Sequence, residues 1–299
     1  MMGRDVTTPG AGLHCLPCED SDSQAQENRE FLDINPGRAR ELGLGAVKAI
    51  DQGYYRSDAG RSVDWSAQIA RARELRRSIP PHEVLAGSVE RPYSVTEVRV
   101  RNRTTLEAAK DLVDRGERPL VLNFANGIAP GGGFLGGARA QEEVLCRSSA
   151  LFATLDGDPM YDAHRLRPEP DSSDWVILSP EVPVFRGDSG AAWDEPWLID
   201  VITSAAPVAT RIGQPRAGDL LERRIHRVLA VAAAYSYRAL LLGAWGCGAF
   251  GNDPVRTADD FRRALEQEFR GCFATVEFAI TDWSPERRFL GPFRDCFAA

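Results

Sequence analysis

The chain has 299 residues, 43% hydrophobic and 26% charged, with 27 glycines and 19 prolines, which excludes collagen-like, wholly disordered and disulfide-scaffold classes. Its 43 acidic against 36 basic residues leave a formal charge of -7, which argues against a nucleic-acid binder working through a basic face. Only Lys48 and Lys110 are lysines, so a lysine nucleophile is not expected and an anionic ligand must be held by fixed backbone dipoles.

Residues 1–35 are rich in Gly, Ser, Asp, Gln and Glu, with little apolar periodicity, and read as a flexible tail. No basic stretch followed by an apolar run opens the chain, so no secretory signal is visible and a cytoplasmic location is the default. His14, Cys15 and Cys18 lack the second half of a zinc site and read as an ordinary histidine and two free thiols. Residues 36–94 read as a helical accessory segment, with two helices over 37–78 around a connection holding Tyr54, Tyr55 and Trp65, stopped before Pro80-Pro81.

Residues 95–299 then alternate between strand and helix patterns and read as the core. A strand at 95–101 (VTEVRVR), a helix from Thr104 to Arg115 and a strand at 119–125 (PLVLNFA) lead into a glycine loop and a helix over 139–155. The runs VILSPEVPVF and WLIDVITSA, joined by GDSGAAWDEP, read as a hairpin with Trp193 and Trp197 in its core. Gly187-Asp188-Ser189-Gly190 has the residues of a serine-protease nucleophile loop, but Ala191 replaces a needed glycine and the α/β alternation is the wrong fold, so a hairpin turn is expected. A helix over 216–235 shows an apolar stripe at Leu221, Ile225, Val228 and Ala232. The strand ALLLGAW, a second glycine loop, a helix from Asp253 to Phe269 and the strand ATVEFAI follow. Arg238 interrupts the long apolar stretch over 228–250; a guanidinium in the bilayer core costs roughly 3 kcal/mol, so no membrane span is expected. The alternation predicts an α/β fold, a mixed sheet with helices on both faces.

Two loops and one acid pair carry the chemistry. The first loop, Asn126-Gly127-Ile128-Ala129-Pro130-Gly131-Gly132-Gly133, leaves the carboxyl end of a strand, the edge where open α/β sheets gather ligands. Its three consecutive glycines let backbone N–H groups approach a ligand closely. The second, from Gly243 to Asn252, includes Gly246, Cys247, Gly248, Ala249, Phe250 and Gly251 and ends in Asp253-Pro254, a helix start whose N–H groups and positive dipole end suit a diphosphate. Neither loop is followed by GK[ST], and no G-x-G-x-x-G opens a helix, so a P-loop nucleotidase or a Rossmann domain is not expected. Gln141-Glu142-Glu143 lies at a predicted helix start. Projected at about 100° per residue, Gln141 shares the apolar face of Leu145, Ser148 and Phe152 while both carboxylates point away, so by themselves they read as solvated first-turn acids. The four histidines, His14, His82, His164 and His226, form no metal-ligating spacing and read as structural or surface groups.

The stretch GGGFLGGARAQEE matches the GGG-x(6–8)-QEE signature of poly(ADP-ribose) glycohydrolases. The preceding FAN, the later VITSAAP and the loop GAWGCGAFGND also resemble the compact bacterial-type members, macrodomains with a helical N-terminal extension. The resemblance covers residues 36–299. It implies a three-layer α/β/α macrodomain-like core that hydrolyses the O-glycosidic ribose-ribose bond of poly(ADP-ribose) from the chain end and releases ADP-ribose. It also implies Glu143 as the catalytic residue, Glu142 and Gln141 beside it, Asn126 on the ribose, Gly131, Gly132 and Gly133 against the distal ribose and diphosphate, and the loop Gly246 to Gly251 as the second diphosphate cradle. Such chemistry needs a carboxyl that stays protonated near neutrality beside a second acid. No cofactor or metal is called for, and the partners are poly(ADP-ribose) or ADP-ribosylated proteins, with neither membrane nor direct nucleic-acid binding. The alternatives are a mono(ADP-ribosyl) hydrolase and a non-catalytic ADP-ribose reader; a reader needs no paired acids.

Overall fold

The computed structural model describes residues 12–85 and 90–298. The N-terminal elements are β1 (Gly12–Cys15), α1 (Asp22–Leu32), α2 (Pro36–Gln52), β2 (Tyr54–Arg56), β3 (Ser62–Asp64), α3 (Ser66–Leu75) and β4 (Arg77–Ile79). There follow β5 (Val95–Arg101), α4 (Thr105–Asp114), β6 (Pro119–Ala125), α5 (Gln141–Ser148), α6 (Phe152–Leu155), α7 (Pro159–Arg165), β7 (Val176–Arg186) and β8 (Ala192–Ala205). The chain closes with α8 (Ala209–Ile212), α9 (Arg216–Ala234), β9 (Ala239–Leu242), α10 (Pro254–Glu266), β10 (Thr275–Ala279) and α11 (Leu290–Cys296).

Eight strands form one sheet in the order β1-β5-β10-β9-β6-β8-β7-β4. The first six run parallel, and β7 and β4 are antiparallel to their neighbours. Alternation along the buried strands sends Leu120 and Leu122 to one face, against α9 and α10, and Val121 to the other, against α4 and α5. The mixed, doubly covered sheet expected from the alternation is therefore present. Because β6 and β9 are adjacent and parallel, with Leu120 opposite Leu240, the loops that follow them leave the same sheet edge side by side. No described helix is long and apolar enough to cross a membrane.

Several boundaries differ from the sequence pattern. The predicted 139–155 helix breaks at Ser149, whose backbone is extended and bridges Val184; its hydroxyl donates to the Leu145 carbonyl and accepts from the Leu151 N–H, the competition with helix bonding that serine typically offers. The hairpin turn is only Gly187–Ala191, because β8 begins at Ala192. Shifts of register between Ser179 and Val182 and between Val184 and Arg186 bend this arm. Asp188 at its tip thereby accepts a 2.6 Å bond from Thr104 Oγ1 at the start of α4. Trp193 and Trp197, 5.8 Å apart, pack half-buried on the α4 side of the core.

The predicted flexible tail is corrected over 12–35; residues 1–11 lie outside the described residues. β1 adds a parallel edge strand to β5, and Asn28, fully buried, donates to the carbonyl and the side-chain oxygen of Asn102 at 3.1 and 2.8 Å. Asn102 in turn donates to Asp20 and to the Asp282 carbonyl. Few apolar residues were needed to dock this arm, which is why its polar composition suggested disorder. The 36–94 segment holds α2 and α3 as expected, with three short strands besides; Trp65, Tyr55 and Phe185 pack with ring centroids 4.7–5.3 Å apart to fasten it.

Replacing Asn28 by Ala leaves Asn102 short of a buried donor. A loss of about 1–3 kcal/mol in urea-unfolding stability is expected, with earlier proteolytic cleavage in the arm; unchanged stability would show that the arm is not held through this bond.

Candidate active site

β6 ends in Asn123-Phe124-Ala125, and beyond Val121 it has outrun the four-residue β9. Gln141 fills the gap: its side-chain amide donates to the Leu122 carbonyl at 2.8 Å and accepts from the Phe124 N–H at 2.9 Å. This clamp fixes the first turn of α5 against the sheet edge, so the next two residues fall under the first glycine loop.

Glu142 and Glu143 are both buried, at 2% and 7% exposure, which corrects the expectation of solvated acids. The face opposite the apolar stripe is covered by the first loop and by α2, which the periodicity of one helix cannot reveal. Glu142 Oε2 accepts from the Asn126 N–H at 2.7 Å and Oε1 from Asn123 Nδ2 at 3.3 Å. Glu143 Oε1 accepts from the Gly133 N–H at 2.9 Å, whereas its Oε2 is buried without a partner. Burial, together with the neighbouring Glu143 charge, pushes the Glu142 carboxyl up to about 8 against the pull of its hydrogen bonds.

The glycines are sterically required here. Gly132 has φ +59°, and a Cβ on it would lie 2.3 Å from Glu143 Oε1 and 2.9 Å from Glu142 Oε2. Gly131, also left-handed, faces Phe134 and the buried Cys146 sulfur, and Gly133 supplies the N–H to Glu143. Asn126, half-buried, makes an Asx turn: its Oδ1 accepts from the Ile128 and Ala129 N–H groups at 2.9 and 3.0 Å.

In the second loop Gly246 (φ +75°) and Gly251 (φ +68°) allow the turn, and Asn252 ties it down through bonds to the Pro207 and Gly246 carbonyls. Gly248 and Ala249 are exposed and Phe250 is half-buried on the core. Among the described residues no protein acceptor takes their N–H groups, which leaves them for a ligand. Two readings of this loop change. Asp253 uses its own carboxylate to cap the Val255 and Arg256 N–H groups, so the loop rather than the helix start offers donors. The Cys247 side chain points inward, with its sulfur 3.6 Å from the Trp245 carbonyl and from Thr257 Oγ1; burial pushes the thiol up to about 12.

Beside the two loops opens a cavity of about 290 Å³, lined by Phe124, Gln141 and Gly248 together with Thr104, Trp283 and Phe289, among others. The last three carry no sequence motif that marks a ligand. The only legible signal was the Thr104/Glu107 capping box, which places a helix start at the same sheet edge.

A family model described as "Microbial-type PARG, catalytic domain" matches residues 45–187. No curated protein matches. Among solved structures, poly(ADP-ribose) glycohydrolase (PARG) from Thermomonospora curvata is similar with a TM-score of 0.81 and 38% identity, over 87% of this chain and 99% of that one. The same enzyme bound to the inhibitor ADP-HPD matches with TM-score 0.81 and 38% identity over 87% and 99%. The Deinococcus radiodurans PARG in complex with ADP-ribose matches with a TM-score of 0.72 and 39% identity, over 77% of this chain and 97% of that one.

The raised Glu142 carboxyl has a thermodynamic signature. Since the native state holds this proton to about 8 and the unfolded chain releases it near 4.5, the native state binds more protons between those values. The Glu142 contribution to stability is therefore full below pH 4.5 and is lost as pH rises through 8, with a slope of up to about 1.4 kcal/mol per pH unit. Denaturant unfolding of Glu142→Gln across this range is expected to show a flatter pH dependence than the parent chain; parallel curves would contradict it.

Proposed function

Because the chain belongs to the microbial-type poly(ADP-ribose) glycohydrolase family, we propose that it hydrolyses the O-glycosidic ribose-ribose bonds of poly(ADP-ribose), with Glu143 as general acid and then base. The observation that carries this assignment is the Glu143 carboxyl itself: one oxygen is anchored on the Gly133 N–H and the other is buried without a protein partner, under a loop stripped of side chains.

The loops hold the diphosphate of the terminal ADP-ribose unit, and its ribose lies against Asn126 and the triple glycine. The proton that burial keeps on the acid pair, carried on Glu143 Oε2, passes to the departing hydroxyl oxygen as the bond to the anomeric carbon breaks and positive charge spreads over the sugar ring. The ionised Glu143 then takes a proton from a water whose oxygen bonds to the anomeric carbon, which releases ADP-ribose and restores the acid. Glu142, fixed by Asn126 and Asn123, holds the ribose beside it, and the substrate's own diphosphate helps offset the developing charge. A reader of ADP-ribose would gain nothing from two buried carboxyls, whose desolvation is a standing cost. We assign the enzyme to chain ends, with α2 packed against the turn after the triple glycine as the wall; the Phe134 carbonyl would lie 2.6 Å from a Cβ on Gly43.

Purified protein incubated with poly(ADP-ribose) is expected to release monomeric ADP-ribose without oligomers. Glu143→Gln should lower kcat by about 10² to 10⁴ while ADP-ribose binding by calorimetry remains measurable. Full activity of that variant would remove Glu143 from this role.

A further inference from the structure

His164, on α7, is buried at 4% exposure and lies outside the loops described above. Its Nδ1 is 2.9 Å from the Gly127 carbonyl oxygen, and its Nε2 is 2.7 Å from Ser173 Oγ and receives the Ser173 backbone N–H at 3.1 Å. A backbone N–H only donates, so Nε2 must carry the lone pair. Nδ1 therefore carries the proton and donates to Gly127.

Gly127 follows Asn126, whose N–H holds Glu142. It has no space for a side chain: a Cβ there would lie 2.3 Å from Ser172 Oγ and 3.3 Å from His164 Nδ1. The 171–174 segment that supports the imidazole is anchored from behind by Arg224 of α9, fully buried, which donates to the carbonyls of Asp171 and of Ala205 at the end of β8. Ser172 sits at φ +54°, a left-handed backbone that a serine adopts only when its surroundings hold it there.

We propose that His164 is a positioning residue: as the neutral Nδ1–H tautomer it couples the α9-anchored 171–174 segment to the Gly127 carbonyl and thereby sets the loop that aligns the acid pair with the ribose. The inference rests on the glycohydrolase reading above. Burial pushes the imidazole down to about 4, so it stays uncharged through the neutral range, and the Ser173 N–H at Nε2 fixes the tautomer.

His164→Leu and His164→Asn are near-isosteric, and both lose the Ser173 acceptor, but only Asn keeps a donor for Gly127. With poly(ADP-ribose) as substrate, His164→Leu is expected to lower kcat about tenfold with KM within about threefold of the parent, and Asn to restore most of that loss although both variants melt at similarly reduced temperatures. A purely structural role would make activity follow melting temperature instead. Nitrogen NMR of labelled histidine in the unaltered protein, which needs no variant to fold, should place the proton on Nδ1 at neutral pH. Unchanged kcat in the Leu variant, an Asn variant as slow as Leu, or a proton on Nε2 would each overturn the role of His164. An unaltered protein that releases no ADP-ribose would overturn the glycohydrolase reading and this one together, before any variant is made.

Discussion

Two carboxyls buried next to each other at the end of a strand are the constraint around which this site is built. Isolated charges in that position would cost several kcal/mol each, and the chain meets the cost in two ways. Backbone and amide donors from Asn126, Gly133 and Asn123 face three of the four oxygens. A proton retained by the adjacent pair, whose Glu142 carboxyl is pushed up to about 8, removes one of the charges at neutrality. The donors come from the glycine loop, so the loop and the acids fix one another: the loop has its shape because its N–H groups end on carboxylates, and the acids are tolerated because the loop has that shape.

That reciprocity explains the placement of the elements around it. β9 is short enough for Gln141 to take over the edge of β6, which sets the start of α5 within a hydrogen bond of the loop. The neighbouring β9 loop can then lie alongside, because parallel adjacent strands deliver both loops to one edge. Glu142 and Glu143 differ in consequence: the first is tied at both oxygens, while the second keeps one oxygen without a protein partner.

Much of this was legible in the sequence. The strand-loop-helix order, the triple glycine, the acid pair at a helix start and the second loop ending in Asp253-Pro254 follow from local rules, and the structure brings these segments to one edge. The orientation of the acids did not follow, because helical projection identifies the apolar face but not what covers the other one. Asn28 escaped notice for a related reason: one buried polar side chain bonded to Asn102 docks an arm whose composition resembles a disordered tail. The Cys247 side chain turns inward, although its loop faces the cleft. Thr104, Trp283 and Phe289 line the cavity from distant positions in the chain, and pattern along the chain carries no record of such convergence.

Charge bears on how an acidic protein could hold the diphosphate that the proposed function requires. The cavity is also lined by Arg103 and Arg139, but Arg139 is engaged by Asp33 at 2.7 Å and by the Ile34 carbonyl at 2.7 Å, and Arg103 lies 3.8 Å from Asp111. Neither guanidinium is left as a bare counter-charge. The N–H groups of Gly248, Ala249 and Phe250 have no protein acceptor among the described residues, and such donors act as oriented dipoles at hydrogen-bond range. Dipoles of this kind hold an anion without drawing others from a distance, since their field fades faster than that of a charge. A net charge of -7 then disfavours long-range capture of bulk polyanion, so on the reading proposed above recognition rests on short-range fit to the two loops.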